Sequence, residues 1–186
     1  MTDAVVSRLR PLLVFMVLIW AVQVLNWIIG QGLNPVLGVA PCRTSGLIGV
    51  PFMPLLHGSW GHLIANSGPL VVLGAIGLLI SPQRFLTASI IIVFASGLAV
   101  WLFARCGIVV GASGLIFGWF GYLIAAGILE RNVREIAGAA IAILFYGGIA
   151  WGVLPQERNV SWEAHLFGAI AGGATAWFLR ARPARP

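Results

Sequence analysis

The sequence contains no lysine, one aspartate and four glutamates, and charged side chains make up only 9% of its 186 residues. Soluble domains carry about 25% charged residues. Together with 60% hydrophobic residues and a mean hydropathy of +0.99, this scarcity of charge excludes an ordinary soluble domain. The sequence therefore predicts an all-α membrane protein, and its length predicts a single domain over residues 1–186.

The few polar residues also exclude several membrane chemistries. An aspartyl dyad needs two intramembrane aspartates, and the only aspartate is Asp3. The zincin motif H-E-x-x-H is absent from the sequence. A zinc site built from His57, His62 and His165 is conceivable, but a five-residue gap directs the first two about 140° apart on a helix. We therefore predict no metal and no other cofactor.

The positive charge does not indicate nucleic-acid binding. The net charge is +6 and all eleven basic residues are arginines, which lie singly or in pairs between apolar runs. A nucleic-acid-binding protein gathers such residues on one face. The sequence therefore predicts a lipid bilayer, and no nucleic acid, as the partner of this surface.

Six apolar segments are long enough to cross a hydrocarbon core about 30 Å thick, which requires about 20 residues. They lie at about 11–30, 61–80, 85–104, 112–129, 134–152 and 163–180. The first follows Arg8 and Arg10, as the apolar part of a signal peptide would. It is too long for one and contains polar residues, so we expect it to be retained.

The arginines predict the orientation, because cytoplasmic loops are enriched in basic residues. With the N-terminus inside, eight arginines are cytoplasmic: Arg8, Arg10, Arg84, Arg131, Arg134, Arg180, Arg182 and Arg185. Three are outside: Arg43, Arg105 and Arg158. We therefore expect a multi-pass protein of a cell membrane with both termini in the cytoplasm, and with the loops 31–60, 105–111 and 153–162 outside.

The two cysteines, Cys42 and Cys106, fall in two of these outer loops. An oxidising outer compartment permits a disulfide, but the sequence does not give the distance between the thiols. A bridge and two free thiols are both compatible with it.

Polar side chains on the second segment lie in HGSWGHLIAN, residues 57–66. Ser59 is expected to cap the helix. His62 and Asn66 are four residues apart and share a helix face, whereas His57 precedes the helix. Such a pair can hydrogen-bond neighbouring helices together, or both side chains can donate into one site.

The fourth segment opens with VVGASGLIFG, residues 109–118. A stripe of small residues, which lets another helix approach closely, consists of Gly111, Gly114, Gly118 and Gly121. The hydroxyl of Ser113 could simply bond back to a carbonyl one turn earlier. Irregular backbone is tolerated at membrane depth where protein or water satisfies it, so the glycines also allow a re-entrant loop. We predict such a loop, leading into a short fourth helix that begins near Ser113.

The sixth segment places His165 on one face with Gly168 and Gly172. A serine needs a base to become a nucleophile, and neutral histidine is the usual one. With Ser113 as nucleophile and His165 as base, His62 and Asn66 could stabilise an oxyanion. Glu163 points about 160° away from His165, so a Ser–His dyad is predicted, with the ring oriented by packing. Phe117, one turn after Ser113, could stack on that ring.

These motifs resemble those of the rhomboid family of intramembrane serine proteases. The family's G-x-S-G is matched by residues 111–114, its H-x4-H-x3-N by His57, His62 and Asn66, and its A-H-x2-G-x3-G by Ala164, His165, Gly168 and Gly172. The motifs occur in the family's order, on the second, fourth and sixth of six spans. The resemblance covers essentially the whole chain and implies the basic six-helix core.

The resemblance implies that Ser113 is the nucleophile and His165 the general base. It also implies an oxyanion hole of His62, Asn66 and the Ser113 backbone N–H, with Gly111 shaping the loop before the serine. The family cleaves transmembrane or membrane-adjacent segments of other proteins without metal or cofactor. Transmembrane protein substrates are therefore the expected partners.

Two positions depart from the family pattern. Many members carry a Trp-Arg pair in the first outer loop, where this chain has Ile48-Gly49. The aromatic residue after the serine is often tyrosine and is Phe117 here, so stacking is kept and a hydroxyl contact is lost. Neither departure removes a catalytic group.

The alternative function is that of a proteolytically inactive relative that binds or escorts membrane proteins. Inactive relatives typically lose the serine or the histidine, and this chain keeps both. A channel or transporter would require an ion-binding residue or an inverted repeat, and the sequence has neither. The sequence does not predict an oligomeric state.

Overall fold

Residues 2–155 and 161–180 are described by a computed structural model, and their regular structure is helical apart from one isolated β-bridge. Six long helices follow one another: α1 (Thr2–Ile28), α2 (Trp60–Ile80), α3 (Pro82–Phe103), α4 (Ser113–Glu130), α5 (Val133–Tyr146) and α6 (Trp162–Leu179). The predicted all-α class is confirmed. Three arginines used to predict the orientation, Arg158, Arg182 and Arg185, lie outside the described residues, as does part of the predicted outer loop 153–162.

Five helical stretches among the described residues are long and apolar enough to cross a membrane. They are Asp3–Ile28, Trp60–Ile80, Pro82–Phe103, Ser113–Glu130 and Val133–Val153. The protein is thus a multi-pass membrane protein. Helix α6 is not among the five, although it has eighteen residues, as many as α4. Its first turns contain Glu163 and His165, so the sixth span stays a prediction.

Two predicted segments differ from the helices that form. Helix α1 begins at Thr2 rather than near residue 11, because hydropathy marks the apolar part of a helix, whereas its backbone hydrogen bonds continue into the polar turns. Arg8 lies in that extension, and its Nη1 donates to the Leu79 carbonyl at 3.1 Å. The segment 134–152 is not one helix: α5 ends at Tyr146 and a 3-10 segment, Gly147–Val153, follows. Gly147 and Gly148 have a low helix propensity.

Helix α4 is the centre of the bundle, with eleven of its eighteen residues buried. It packs most closely against α6, whose glycines lie on the α4 backbone. A Cβ on Gly168 would lie 2.1 Å from the Gly114 carbonyl oxygen, and one on Gly172 would lie 1.9 Å from that of Gly118. Because the contacts advance in the same direction along both chains, α4 and α6 run parallel and begin at the same end.

The opposite end of the bundle holds a cluster of charged residues. Arg84 of α3 pairs with Glu130 of α4, and its Nη1 lies 3.9 Å from Glu135 Oε1 of α5. Both carboxylates are largely buried. The cluster links three helices at the end remote from Ser113.

The loop between α1 and α2 folds into four short helical turns: Asn34–Leu37, Thr44–Ile48, Gly49–Phe52 and Met53–Leu55. Asn26 anchors its start, since its amide nitrogen donates to Gln31 Oε1 at 2.7 Å and to Asn34 Oδ1 at 2.8 Å. At Gly49, one of the two positions that depart from the expected Trp-Arg pair, a Cβ would lie 2.3 Å from the Gly38 backbone. Close backbone packing therefore anchors this part of the loop.

A disulfide joins this first loop to the loop that precedes α4. Cys42 and Cys106 are bonded, with their Cα atoms 5.6 Å apart. Val39 and Val109 exchange backbone hydrogen bonds of 3.0 and 2.8 Å close by, and the indole of Trp101 donates to the Arg43 carbonyl at 2.7 Å. The sequence was compatible with a bridge and with two free thiols, and the structure contains the bridge.

Candidate active site

Ser113 is the first residue of α4 and lines a cavity of about 1170 Å³ at the end of the bundle where α2, α4 and α6 begin. The preceding Ala112 is fully buried, and the Gly111 N–H donates to the Met53 carbonyl at 3.0 Å. Within the described chain the Ser113 hydroxyl makes no hydrogen bond, not even to a carbonyl one turn earlier. Its oxygen is therefore available to a molecule in the cavity.

Gly111 adopts a φ of +125°, a backbone conformation that side-chain-bearing residues rarely take. A Cβ at this position would lie 2.6 Å from His62 Cε1 and 2.8 Å from His62 Nε2. The backbone conformation and the close approach both require glycine. As a result the His62 ring lies directly against the peptide that leads into Ser113.

His62 and Asn66 extend from the first turns of α2 into the same cavity. Ser59 caps this helix, because its hydroxyl accepts from the His62 N–H at 3.1 Å. The Asn66 Nδ2 would lie 3.8 Å from a Cβ on Gly111, so it lies near the His62 ring. This nitrogen is buried and has no hydrogen-bond partner within the described residues. A buried donor without an acceptor is suited to a ligand oxygen.

His165 lies in the first turns of α6 and faces the same cavity. Its ring is stacked on Phe117, with the centroids 4.2 Å apart and the planes 3° from parallel. Its Nδ1 lies 2.9 Å from the carbonyl oxygen of Gly152. The stacking expected from the sequence is present, and a backbone carbonyl contacts the ring as well.

His57 lies behind His62 rather than in the cavity. It is fully buried, and its ring makes an edge contact with His62 at a centroid distance of 5.1 Å. Burial, and to a lesser extent the neighbouring His62, lower the pKa of His57 to about 3. The ring is therefore neutral at physiological pH and packs as an uncharged group. The described residues contain no group of three His, Cys, Asp or Glu side chains that could hold a metal ion.

Glu163 is held by Arg105 at the rim of the cavity. The Arg105 Nε and Nη2 donate to the two carboxylate oxygens at 2.5 and 3.1 Å. The hydrogen bond that Arg105 donates to Glu163 raises the pKa of Arg105. This pairing joins the loop before α4 to the start of α6.

The structure brings six of the nine predicted site residues to one cavity: His62, Asn66, Gly111, Ser113, Phe117 and His165. Gly168 and Gly172 lie farther along α6 in the contact with α4, and His57 is buried behind His62. Sequence reasoning missed Gly152, because a carbonyl acceptor has no side-chain signature. It also missed the pairing of Arg105 with Glu163, although Arg105 was predicted to lie outside and Glu163, of opposite charge, opens the sixth predicted segment.

Comparisons with known proteins relate the chain to one family and to several mycobacterial proteins. A family model described as the rhomboid domain matches residues 44–182. Uncharacterized proteins of Mycobacterium tuberculosis and Mycobacterium bovis are each 41% identical over 179 residues, covering 91% of this chain and 74% of theirs. One from Mycobacterium leprae is 35% identical, with coverage of 91% and 70%. The extent of the domain match shows that the chain belongs to the rhomboid family.

Proposed function

We propose that this protein is an intramembrane serine endopeptidase that cleaves peptide bonds in or near transmembrane segments of other membrane proteins. One observation carries the proposal: Ser113, His165, His62 and Asn66, from three different helices, line a single cavity. A helix-packing role for each residue separately would not require them to face a common space.

In the proposed mechanism the His165 Nε2 takes the proton of the Ser113 hydroxyl as the oxygen attacks the substrate carbonyl carbon. The tetrahedral intermediate then collapses, and the imidazolium gives the proton to the departing amine nitrogen. An acyl-enzyme remains on Ser113. A water molecule, activated by the same imidazole, attacks the ester, and the products are a carboxylic acid and the free enzyme.

The negative oxygen of the intermediate would be stabilised by the Asn66 Nδ2 and a His62 ring N–H. Both lie beside the Gly111 peptide, and the Asn66 donor has no acceptor within the described chain. Preformed donors of this kind stabilise developing charge most strongly where water is scarce. This arrangement supports acyl transfer over a purely structural role for the pair.

The setting of the cavity supports membrane-embedded substrates. It lies at one end of a bundle with five helical stretches capable of crossing a bilayer. If the protein lies in a cell membrane with both termini in the cytoplasm, the end of the bundle that holds the cavity faces the outside of the cell. An oxidising compartment there would permit the disulfide between Cys42 and Cys106. We therefore place the scissile bond in the outer part of the membrane.

A fluorophosphonate probe, which esterifies activated serines, tests the nucleophile. We expect the detergent-solubilised protein to be labelled, and Ser113→Ala to abolish labelling. Ser67→Ala, which removes a hydroxyl of α2 outside the cavity, is the control, and this variant should still be labelled. Labelling that persists in Ser113→Ala would exclude this serine as the nucleophile.

Cleavage of a model transmembrane substrate tests the base. We expect His165→Ala to lower the rate by at least about 100-fold while the protein stays folded, because general base catalysis contributes about 10²–10⁴-fold. Unchanged cleavage would refute the dyad. A folded wild-type protein that neither reacts with the probe nor cleaves any substrate would favour the inactive, client-binding alternative.

A further inference from the structure

The imidazole of His165 has a single hydrogen-bond partner in the described part of the chain, the Gly152 carbonyl oxygen at 2.9 Å from Nδ1. A carbonyl oxygen can only accept a hydrogen bond. The hydrogen of the neutral ring must therefore be on Nδ1, which leaves the lone pair on Nε2. A general base needs this tautomer, because only an unprotonated nitrogen can take the serine proton.

Serine hydrolases with a three-residue catalytic apparatus fix this tautomer with a buried carboxylate hydrogen-bonded to Nδ1. Among the described residues, no carboxylate is placed for this task. The only acid that lines the cavity within the described residues is Glu163, and Arg105 engages both of its oxygens. The acceptor at Nδ1 is instead part of the main chain.

We propose that Gly152 is a positioning residue for the reaction: its backbone carbonyl fixes the tautomer and orientation of His165. This inference rests on the proposed function, since it assigns the role of base to His165. Phe117 holds the plane of the ring by stacking at 4.2 Å. Stacking alone is compatible with a ring flip of about 180° around the Cβ–Cγ bond, which exchanges Nδ1 with Cδ2. The hydrogen bond to the residue 152 carbonyl removes this freedom.

The geometry also accounts for a glycine at this position. A Cβ on residue 152 would lie 2.6 Å from Phe117 Cζ and 3.3 Å from His165 Nδ1. Any side chain would therefore push the 3-10 segment away from the stacked pair or displace the rings. By contrast, a Cβ on Gly148 of the same segment would have nothing within 4 Å.

Substitution at these two glycines tests the proposal, with Gly148→Ala as the matched control. We expect Gly152→Ala to lower kcat for a transmembrane substrate by about 10- to 100-fold, part of what a general base contributes. KM should stay within about threefold, because residue 152 acts on the base and not on bound substrate. Equal kcat in Gly152→Ala and Gly148→Ala would overturn the assignment.

Nitrogen-15 NMR of labelled histidine tests the hydrogen bond without using activity. The resonances of His165 are assigned by their loss in His165→Ala. We expect the wild type and Ser113→Ala to show a protonated Nδ1 and an unprotonated Nε2 at neutral pH. The Nε2–H tautomer in either would overturn the inference even if Gly152→Ala failed to fold. An inactive protein with a protonated Nδ1 would contradict only the proposed function.

Discussion

Position 111 imposes two requirements that only glycine, among the amino acids, satisfies together. Its φ is +125°, and the His62 ring lies where a Cβ would be. The result is that the His62 ring and the Asn66 amide lie beside the Gly111 backbone, two residues before Ser113. A change at this residue is expected to affect the oxyanion site before it affects the rest of the fold.

We predict that Gly111→Ala lowers the rate of substrate cleavage by at least about 100-fold, the usual effect of losing an oxyanion donor. The disfavoured backbone conformation should cost about 1–3 kcal/mol of stability as well. Gly107→Ala is the control, because a Cβ there has nothing within 4 Å. Cleavage rates measured in detergent for the two variants decide the question, and equal rates would contradict this role of Gly111.

At the scale of single residues, the sequence predicted side chains better than it predicted backbone groups. His62, Asn66, Ser113 and His165 were recognisable because polar groups are costly in an apolar span. The Gly152 carbonyl was not, since every residue carries one and only the fold selects which is used. The pairing of Arg105 with Glu163 joins residues 58 positions apart, and no local pattern specifies such a contact.

At the scale of elements, the contact of α4 with α6 sets the distance between the proposed nucleophile and base. Ser113 and His165 each lie at the start of one of these helices. Gly168 and Gly172 let the backbones touch, and without them the helices would be held farther apart. The packing of the two helices is therefore part of the active-site geometry.

We predict that Gly172→Ala destabilises the protein by about 1–3 kcal/mol, because an added methyl group overpacks the contact. Its Cβ would meet the Gly118 carbonyl oxygen at 1.9 Å. Gly173→Ala, the adjacent position, places its Cβ in open space and should change stability by less than about 1 kcal/mol. Thermal unfolding in detergent measures both, and equal transition temperatures would show that the α4–α6 contact adapts.

Hydropathy predicted the existence of the long helices well, but it did not predict their ends. It identified the apolar portion of α1 and missed the polar turns from Thr2, which are helical because backbone hydrogen bonding does not require an apolar environment. It also merged α5 with the 3-10 segment after Tyr146, because both are apolar. That boundary matters, since the segment contains Gly152.

At the scale of the whole molecule, the disulfide encloses a sequence separation of 64 residues that includes all of α2 and α3. It joins the loop between α1 and α2 to the loop that leads into Ser113. In the chain-entropy account a closure of this length contributes at most about 4 kcal/mol. The sequence alone could not predict this disulfide, because the distance between Cys42 and Cys106 depends on how the first loop, α2 and α3 pack.

We predict that the double variant Cys42→Ser/Cys106→Ser unfolds at a lower temperature than the oxidised wild type. A reductant should lower the transition temperature of the wild type and leave that of the variant unchanged. Thermal unfolding with and without the reductant measures both effects. A wild type that is insensitive to reduction, with its thiols shown to be free, would contradict a stabilising role.

The bridge has a consequence for biogenesis, because its formation depends on which compartment the two thiols reach. A copy inserted in the proposed direction exports Cys42 and Cys106 together and can oxidise them. A copy inserted in the opposite orientation would keep both thiols in the reducing cytoplasm, and its two loops would not be joined by a disulfide. Correctly and wrongly inserted copies of one sequence would then differ in resistance to unfolding, so quality control could remove the inverted ones.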